Sequence, residues 1–308
     1  MARVSEARAA ALFEQSKRWG RWGADDQRGA LNLLTADRVA RAAALVDSGE
    51  IVPCGRELPV APAADNPNPA LHHMVAAGDI ATRGKGLQAS ADFFGVAFHG
   101  MAVSHIDALC HVFVDGFMWN GVPASEVTSA GARRNSIAAA FSGIVGRGVL
   151  LDIPRVRGVE WLEPADAIEP DELDAACRAQ GVEVESGDIV LVATGRDARR
   201  DVHGPWDPNA PGLAGLHAEC VPWFLEHDPS VLGSDGVSDV LPADDHAWPI
   251  PIHQCLLVGM GVHLLDNLRL DRLAAACAAH NRWEFLFTVS PLQLARGTGS
   301  PVNPIAVF

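Results

Sequence analysis

The stretch His99–Gly116, HGMAVSHIDALCHVFVDG, places three histidines and an aspartate within its first thirteen residues, among others that read as core: Ala102, Val103, Ile106, Ala108, Leu109, Val112 and Phe113. Imidazole and carboxylate are donors for a borderline divalent cation, and imidazole also moves protons near neutral pH. If residues 101–107 run as a strand, His105 and Asp107 share a face with alpha carbons ~6.5 Å apart. If the chain then turns into a helix near Ala108, Asp107 and His111 stand at i and i+4 and again share a face. His-x-Asp-x3-His thus converges through a strand-to-helix corner and leaves positions open for water or substrate. Hydrogen-bonded core histidines, with Asp107 as a helix cap, are the other reading of the same spacing. His99 would lie ~20 Å from His105 in a straight strand and reaches the same point only if Gly100 bends the chain.

Holding such a cluster takes a rigid frame, and the flanking sequence predicts an α/β one. SGIVGRGVLLDIPRV and VESGDIVLVATGRD read as buried strands bounded by Gly and charged residues. Between them, EPDELDAACRAQG predicts a helix with an acidic first turn and Gly181 after its end. GLHAECVPWFLEHD predicts a helix, SVLGSDGVSDVL a strand and turn, CLLVGMGVHLLDNL an apolar strand, DRLAAACAAHN a helix and WEFLFTVSPLQL the last long strand. Upstream, Thr35 caps a helix that Gly49 ends. Five prolines within residues 53–70 predict an irregular crossing or flap over about 53–75. No repeat or linker divides the sequence, so 1–308 reads as one α/β domain with an N-terminal extension of about residues 1–50.

Composition removes several function classes. The chain has 308 residues, is 48% hydrophobic and carries a formal charge of −14, with its 24 Lys and Arg spread without a basic run. That argues for a large core and against nucleic acid. No stretch approaches the ~20 apolar residues of a membrane helix, and MARVSEARAAALFEQSKRWG carries Glu6 and Glu14 where a secretory signal is apolar, so the expected location is the cytoplasm. Six cysteines without CxxC spacing read as buried thiols. With no tyrosine and only Lys17 and Lys85, composition argues strongly against a Tyr acid or a Schiff-base Lys. There is no Gly-x-Ser-x-Gly, and Ser104 faces away from its neighbour His105, which argues against a covalent serine mechanism.

SHIDALCH (Ser104–His111) resembles the second half of His-x-Gly-Thr-His-x-Asp-x3-His, the signature of the cyclase-like metal-dependent hydrolases that include bacterial kynurenine formamidase and isatin hydrolase. GRGVLLDI and GDIVLVATGR resemble that family's central strands, GSDGVSD its later strand and turn, and IHQCLLVGMGVHLLDNL its His-to-acid segment. RWGRWGADDQRGALNLLT and GTGSPVNPIAVF resemble a longer subgroup labelled only as cyclases. The resemblance spans most of the chain. It implies a mixed sheet or partly closed β-barrel core flanked by helices, the swivelling β/β/α arrangement, and a divalent metal, zinc or manganese. It also implies that His105 and Asp107 are metal ligands, that His253 and Asp266 complete the site, and that His111 is the catalytic histidine. The family's first ligand falls four residues before His105, where this chain has Met101, a poor ligand for either ion. Either His99 substitutes through a bulge, or the site holds its ion with fewer histidines, one metal instead of two.

The reaction so implied is hydrolysis of a small amide, lactam, lactone or ester, in which hydroxide formed at the metal attacks the carbonyl and His111 serves as general base and then acid. Two alternatives stand beside it: a cyclase or lyase that stabilises an enolate, and a non-catalytic relative without metal. A homodimer or larger homo-oligomer acting on a small molecule is also implied. Trp19 and Trp22 read either as core or subunit contacts or as walls of an aromatic substrate pocket. His72 and His73 follow the proline-rich crossing, from which a flap residue could touch substrate. His217 and Glu219 read as a solvated helix face or as ligands, Asp235 and Asp239 as turn-builders or substrate contacts, and GTGSPVNP as a turn bordering the site.

Overall fold

Five consecutive apolar residues, Ile189–Ala193, have no polar face to offer water, so the strand they form must be covered on both sides. A computed structural model describes residues 4–79 and 86–308; Lys85 lies outside them. It makes that run the middle of a nine-stranded sheet. In chain order the strands are β1 (Ile51–Pro53), β2 (His105–Asp107), β3 (Ile144–Asp152), β4 (Ile189–Ala193), β5 (Val231–Ser234), β6 (His263–Asp266), β7 (Glu284–Val289), β8 (Gly299–Pro301) and β9 (Ile305–Val307). In space the order is β1-β9-β7-β3-β4-β5-β6-β2-β8. Strands β3 to β6 run parallel. The flanking pairs β3–β7, β7–β9 and β9–β1 on one side, and β6–β2 and β2–β8 on the other, are antiparallel. The protein is thus one α/β domain whose mixed sheet curls into a half-barrel flanked by helices.

Local chemistry sets the helix ends. Thr35 accepts from the Arg38 amide and starts Ala36–Ala43. That helix stops at Ala44 rather than at Gly49, because the Ser48 and Gly49 amides are drawn to the Phe308 carbonyl beside β9. Pro170–Gln180 has Asp171 and Glu172 in its first turn and Gly181 at φ 63° behind it, as its sequence requires. GLHAECVPWFLEHD yields a shorter helix, Val221–His227, after one 3-10 turn at Ala218–Cys220.

Two expectations fail for physical reasons. CLLVGMGVHLLDNL is not one strand: Gln254–Met260 is a π-helix, Gly261 turns at φ 73° with the Trp119 ring against it, and β6 follows. A run buried on every side has no period to distinguish helix from strand. In the other stretch only His105–Asp107 is strand, with residues 99–104 a series of bends, and Phe113 is exposed instead of buried. All six cysteines are free, and five are buried. No helix among the described residues is long and apolar enough to cross a membrane. A separate hairpin, Leu71–Ala76 with Ala91–Gly95, exposes Leu71, Met74, Val75, Phe93 and Phe94.

His263 in β6 is fully buried, and neither ring nitrogen has a partner among the described residues. Burial, reinforced by Arg28, pushes its pKa down to about 4. The folded protein therefore holds it neutral, whereas the unfolded chain protonates it near 6.5, so stability falls as the pH drops from about 6.5 towards 4. His263→Leu removes this loss. Urea unfolding at pH 7 and pH 4 is expected to show wild type losing about 3 kcal/mol more than the variant; equal losses refute the assignment.

Candidate functional site

The parallel strands end along one edge, where open α/β sheets place their ligands. Beyond β5 stand Asp235 and Asp239, and β6 ends on Asp266. Next to β6, β2 carries His105 and Asp107 on one face, and the register sets Asp266 directly opposite His105. Gly100, at φ 146°, turns the preceding chain back so that His99 Nδ1 lies 3.0 Å from Asp107 Oδ1. Few residues other than glycine adopt that angle. After β2 the chain makes a single turn, closed by the His111 amide on the Ala108 carbonyl, in place of the expected helix. This brings His111 Nε2 to 4.0 Å from Asp107 Oδ1. His253, at the end of the short helix Pro251–His253, places Nε2 3.5 Å from Asp107 Oδ2 and 3.2 Å from Asp266 Oδ2. His105 Nε2 is 3.4 Å from Asp107 Oδ1.

Three imidazoles have their outer nitrogen tied and their inner nitrogen turned to Asp107. His99 Nε2 hydrogen-bonds Thr298 Oγ1 at 3.0 Å, His105 Nδ1 donates to the Val103 carbonyl at 2.8 Å, and His253 Nδ1 donates to Asp239 at 2.5 Å. Asp239 is itself held by the Ile252 and His253 amides. Such outer bonds fix which nitrogen of a metal-binding histidine carries the lone pair. At the centre, both Asp107 oxygens and His99 Nδ1 are buried, and no hydrogen bond is aimed at them among the described residues. Donor atoms of His99, Asp107 and His111, and of His105, Asp107 and Asp266, lie within 4.8 Å of one another. Inward lone pairs around an unbonded carboxylate fit a divalent cation, and nitrogen with oxygen donors suit zinc or manganese.

The electrostatics agree. Burial opposes a charge on Asp107, yet His105, His253 and His99 around it hold its carboxyl well below the usual range. Burial also opposes a charge on His253, but Asp266, Asp107 and Asp239 raise its pKa well above the ordinary value. His111 differs: burial pushes it down to about 4, against the pull of Asp107. Its ring stacks on His99 at 3.7 Å and 2°, and it retains 30% side-chain exposure, so it is a neutral base facing the open side of a buried cluster.

The remaining candidates make contacts of other kinds. Trp19 donates to the Val258 carbonyl and packs on Phe117, and Trp22 packs on Trp119. His73 stacks on Phe93 in the exposed hairpin, where His72 meets Asp92. His217 is buried between Glu169 and Asp244, not on a solvated face, and Glu219 pairs with Arg8. Asp235 caps the helix Arg196–His203 by accepting from the Thr194, Gly195 and Arg196 amides. GTGSPVNP does border the cluster: β8 pairs with β2, and Thr298 fixes His99. Of the orienting groups, Thr298 could be found only through that border, and Asp239 only as the second aspartate of GSDGVSD.

A structure described as a novel cyclase is 28% identical, with a TM-score of 0.84 over 95% of this chain and 99% of its own. Isatin hydrolase A from Labrenzia aggregata, bound to benzyl benzoate, shares the fold at 21% identity and TM-score 0.60, over 90% of this chain and 98% of its own. So does a predicted metal-dependent hydrolase from Bacillus stearothermophilus, at 15% and 0.51, over 84% and 98%. No curated protein matches the chain. The model of the family described as "Putative cyclase" matches residues 52–239, more than half of the sequence. On that match, this chain belongs to the cyclase family.

Proposed function

We propose that the protein is a metal-dependent hydrolase that opens a small amide, lactam, lactone or ester. The observation that carries this is the Asp107 carboxylate, buried without a hydrogen bond among the described residues and faced by inward nitrogens of His99, His105 and His253. A divalent ion, zinc or manganese, held by these residues and Asp266 supplies Lewis acidity at a carbonyl and lowers the pKa of a water. His111 accepts the proton of the attacking water at Nε2 and returns it to the leaving nitrogen or oxygen. Its neutrality at pH 7 suits the first step, and its exposure gives it access to substrate. Asp239 and Thr298 keep His253 and His99 turned inward. Isatin hydrolases among the structural neighbours make a cyclic aryl amide the first substrate to try. The free cysteines suit a reducing cytoplasm, and the exposed apolar hairpin suits a homo-oligomer.

Dialysis against a strong chelator is expected to reduce hydrolysis to background, and zinc or manganese to restore it. Unchanged turnover in metal-free protein sinks the reading. The family's description as cyclases favours one rival, enolate chemistry at the same centre. Running the reaction in oxygen-18 water separates the two, since only hydrolysis puts solvent oxygen into the product.

A further inference from the structure

The bend that carries His99 to Asp107 is held from outside by two side chains. Asn267 Nδ2 donates to the Gly100 carbonyl at 2.7 Å and to the Val103 carbonyl at 3.3 Å. Arg196 Nη2 donates to the Met101 carbonyl between them at 2.6 Å, and Arg196 Nη1 to Asn267 Oδ1 at 2.6 Å. The second contact settles the Asn267 amide: with its oxygen on the guanidinium, both of its N–H groups must point at the bend. Asn267 directly follows Asp266 at φ 55°, and its own carbonyl accepts from Ser104 Oγ at 2.6 Å. One arginine therefore grips both halves of the cluster, the His99–His105 bend and the end of β6.

Packing alone does not account for this residue. Arg196 is 3% exposed, its nearest carboxylate partner, Asp65, stands 3.9 Å away, and Arg56 lies in the same buried network. A buried cation directed mainly at carbonyl and amide oxygens is an expensive way to fill space; an apolar side chain would fill it without the desolvation cost. What the guanidinium adds is a planar fork that reaches two acceptors at once.

We infer that Arg196 is a positioning residue of the metal centre, its guanidinium locking the 100–103 bend to Asn267 so that His99 and Asp266 face Asp107 at a fixed separation. This rests on the metal reading above. Partners that orient ligands in this way typically change metal affinity by roughly 10–100-fold when removed.

The test titrates Co2+ into wild type, R196M, R196K and R56M by chelator competition, with thermal midpoints of the metal-free proteins alongside. R56M is the structural control: the Arg56 side chain donates to Asp197 and the Asp235 carbonyl, and among the described residues none of its hydrogen bonds goes to a carbonyl of the bend. R196M is expected to bind Co2+ at least about 10-fold more weakly than wild type, with a changed visible spectrum. R196K keeps the charge but offers one nitrogen where two are used, and is expected to weaken binding as well. R56M is expected to lower the midpoint and leave affinity unchanged. If R196M does not fold, R196K decides alone. Wild-type affinity in the Arg196 variants, or an equal loss in R56M, overturns the inference and leaves the metal reading standing. A wild type that takes up no Co2+ overturns both.

Discussion

Asp107→Asn is expected to abolish binding of the divalent ion, and hydrolysis with it, in a chain that still folds. The substitution keeps the shape of a side chain that is 1% exposed and removes only its charge. That charge is the shared element of the site: His99, His105, His111 and His253 all approach one or other Asp107 oxygen. Uncompensated charge at a buried position costs about 3–5 kcal/mol. On the ion this amounts to roughly 10²–10³-fold or more in affinity.

The metal-free protein provides a second reading of the same residue. The depressed pKa of Asp107 contributes stability that is present above the unfolded value near 3.9 and is lost as the pH falls through the folded one. The raised pKa of His253 contributes stability that is complete below about 6.5 and is lost as the pH rises through its folded value. The two windows overlap in mildly acidic solution. Urea midpoints of metal-free wild type and D107N should therefore differ more at pH 6 than at pH 9. A D107N protein that titrates the ion like wild type would remove Asp107 from the centre.

His111→Ala is expected to do the opposite: keep the ion and lose turnover. His111 is the more exposed group of the cluster, 4.0 Å from Asp107, and among the described residues its outer nitrogen has no counterpart to the Thr298, Val103 and Asp239 bonds that fix the other three rings. Loss of a general acid–base lowers kcat/KM by roughly 10²–10⁴-fold. The pH profile tests the same assignment. Burial, helped by the neighbouring imidazoles, holds His111 near 4, so it stays a neutral base through pH 5–7 and is protonated only as the pH approaches 4. With the ion in excess, the acid limb of wild-type kcat/KM should lie well below 6.5 and should be absent from the residual activity of H111A. Full activity in H111A, or loss of its metal, would reassign His111 from base to ligand.

For these two residues the spacing His-x-Asp-x3-His predicted only that they share a face, and they do approach to 4.0 Å, through a turn where a helix was expected; their roles rest on the family resemblance. Strands β3 and β4 and the helix Pro170–Gln180 were legible more directly: apolar runs of strand length, and a Gly behind an acidic-start helix. His99 was harder. Its place depends on Gly100 bending the chain, and nothing in the local sequence says which way the bend goes. Asp239, Thr298, Arg196 and Asn267 act through contacts between distant segments, which no local period encodes. The π-helix at Gln254–Met260 was hidden by its own burial, since seven buried residues in a row look the same in either backbone.

Strand β2 is three residues long, and both strands beside it, β6 and β8, are made much later in synthesis. A lone three-residue edge has no stability, and closing so long a loop is an entropic loss that only the finished pairing offsets. A ribosome that has not yet passed residue 266 thus carries a chain in which His105 and Asp107 exist but neither neighbouring strand does. A product truncated before β6 therefore carries the sequence motif without the strand that sets Asp266 opposite His105.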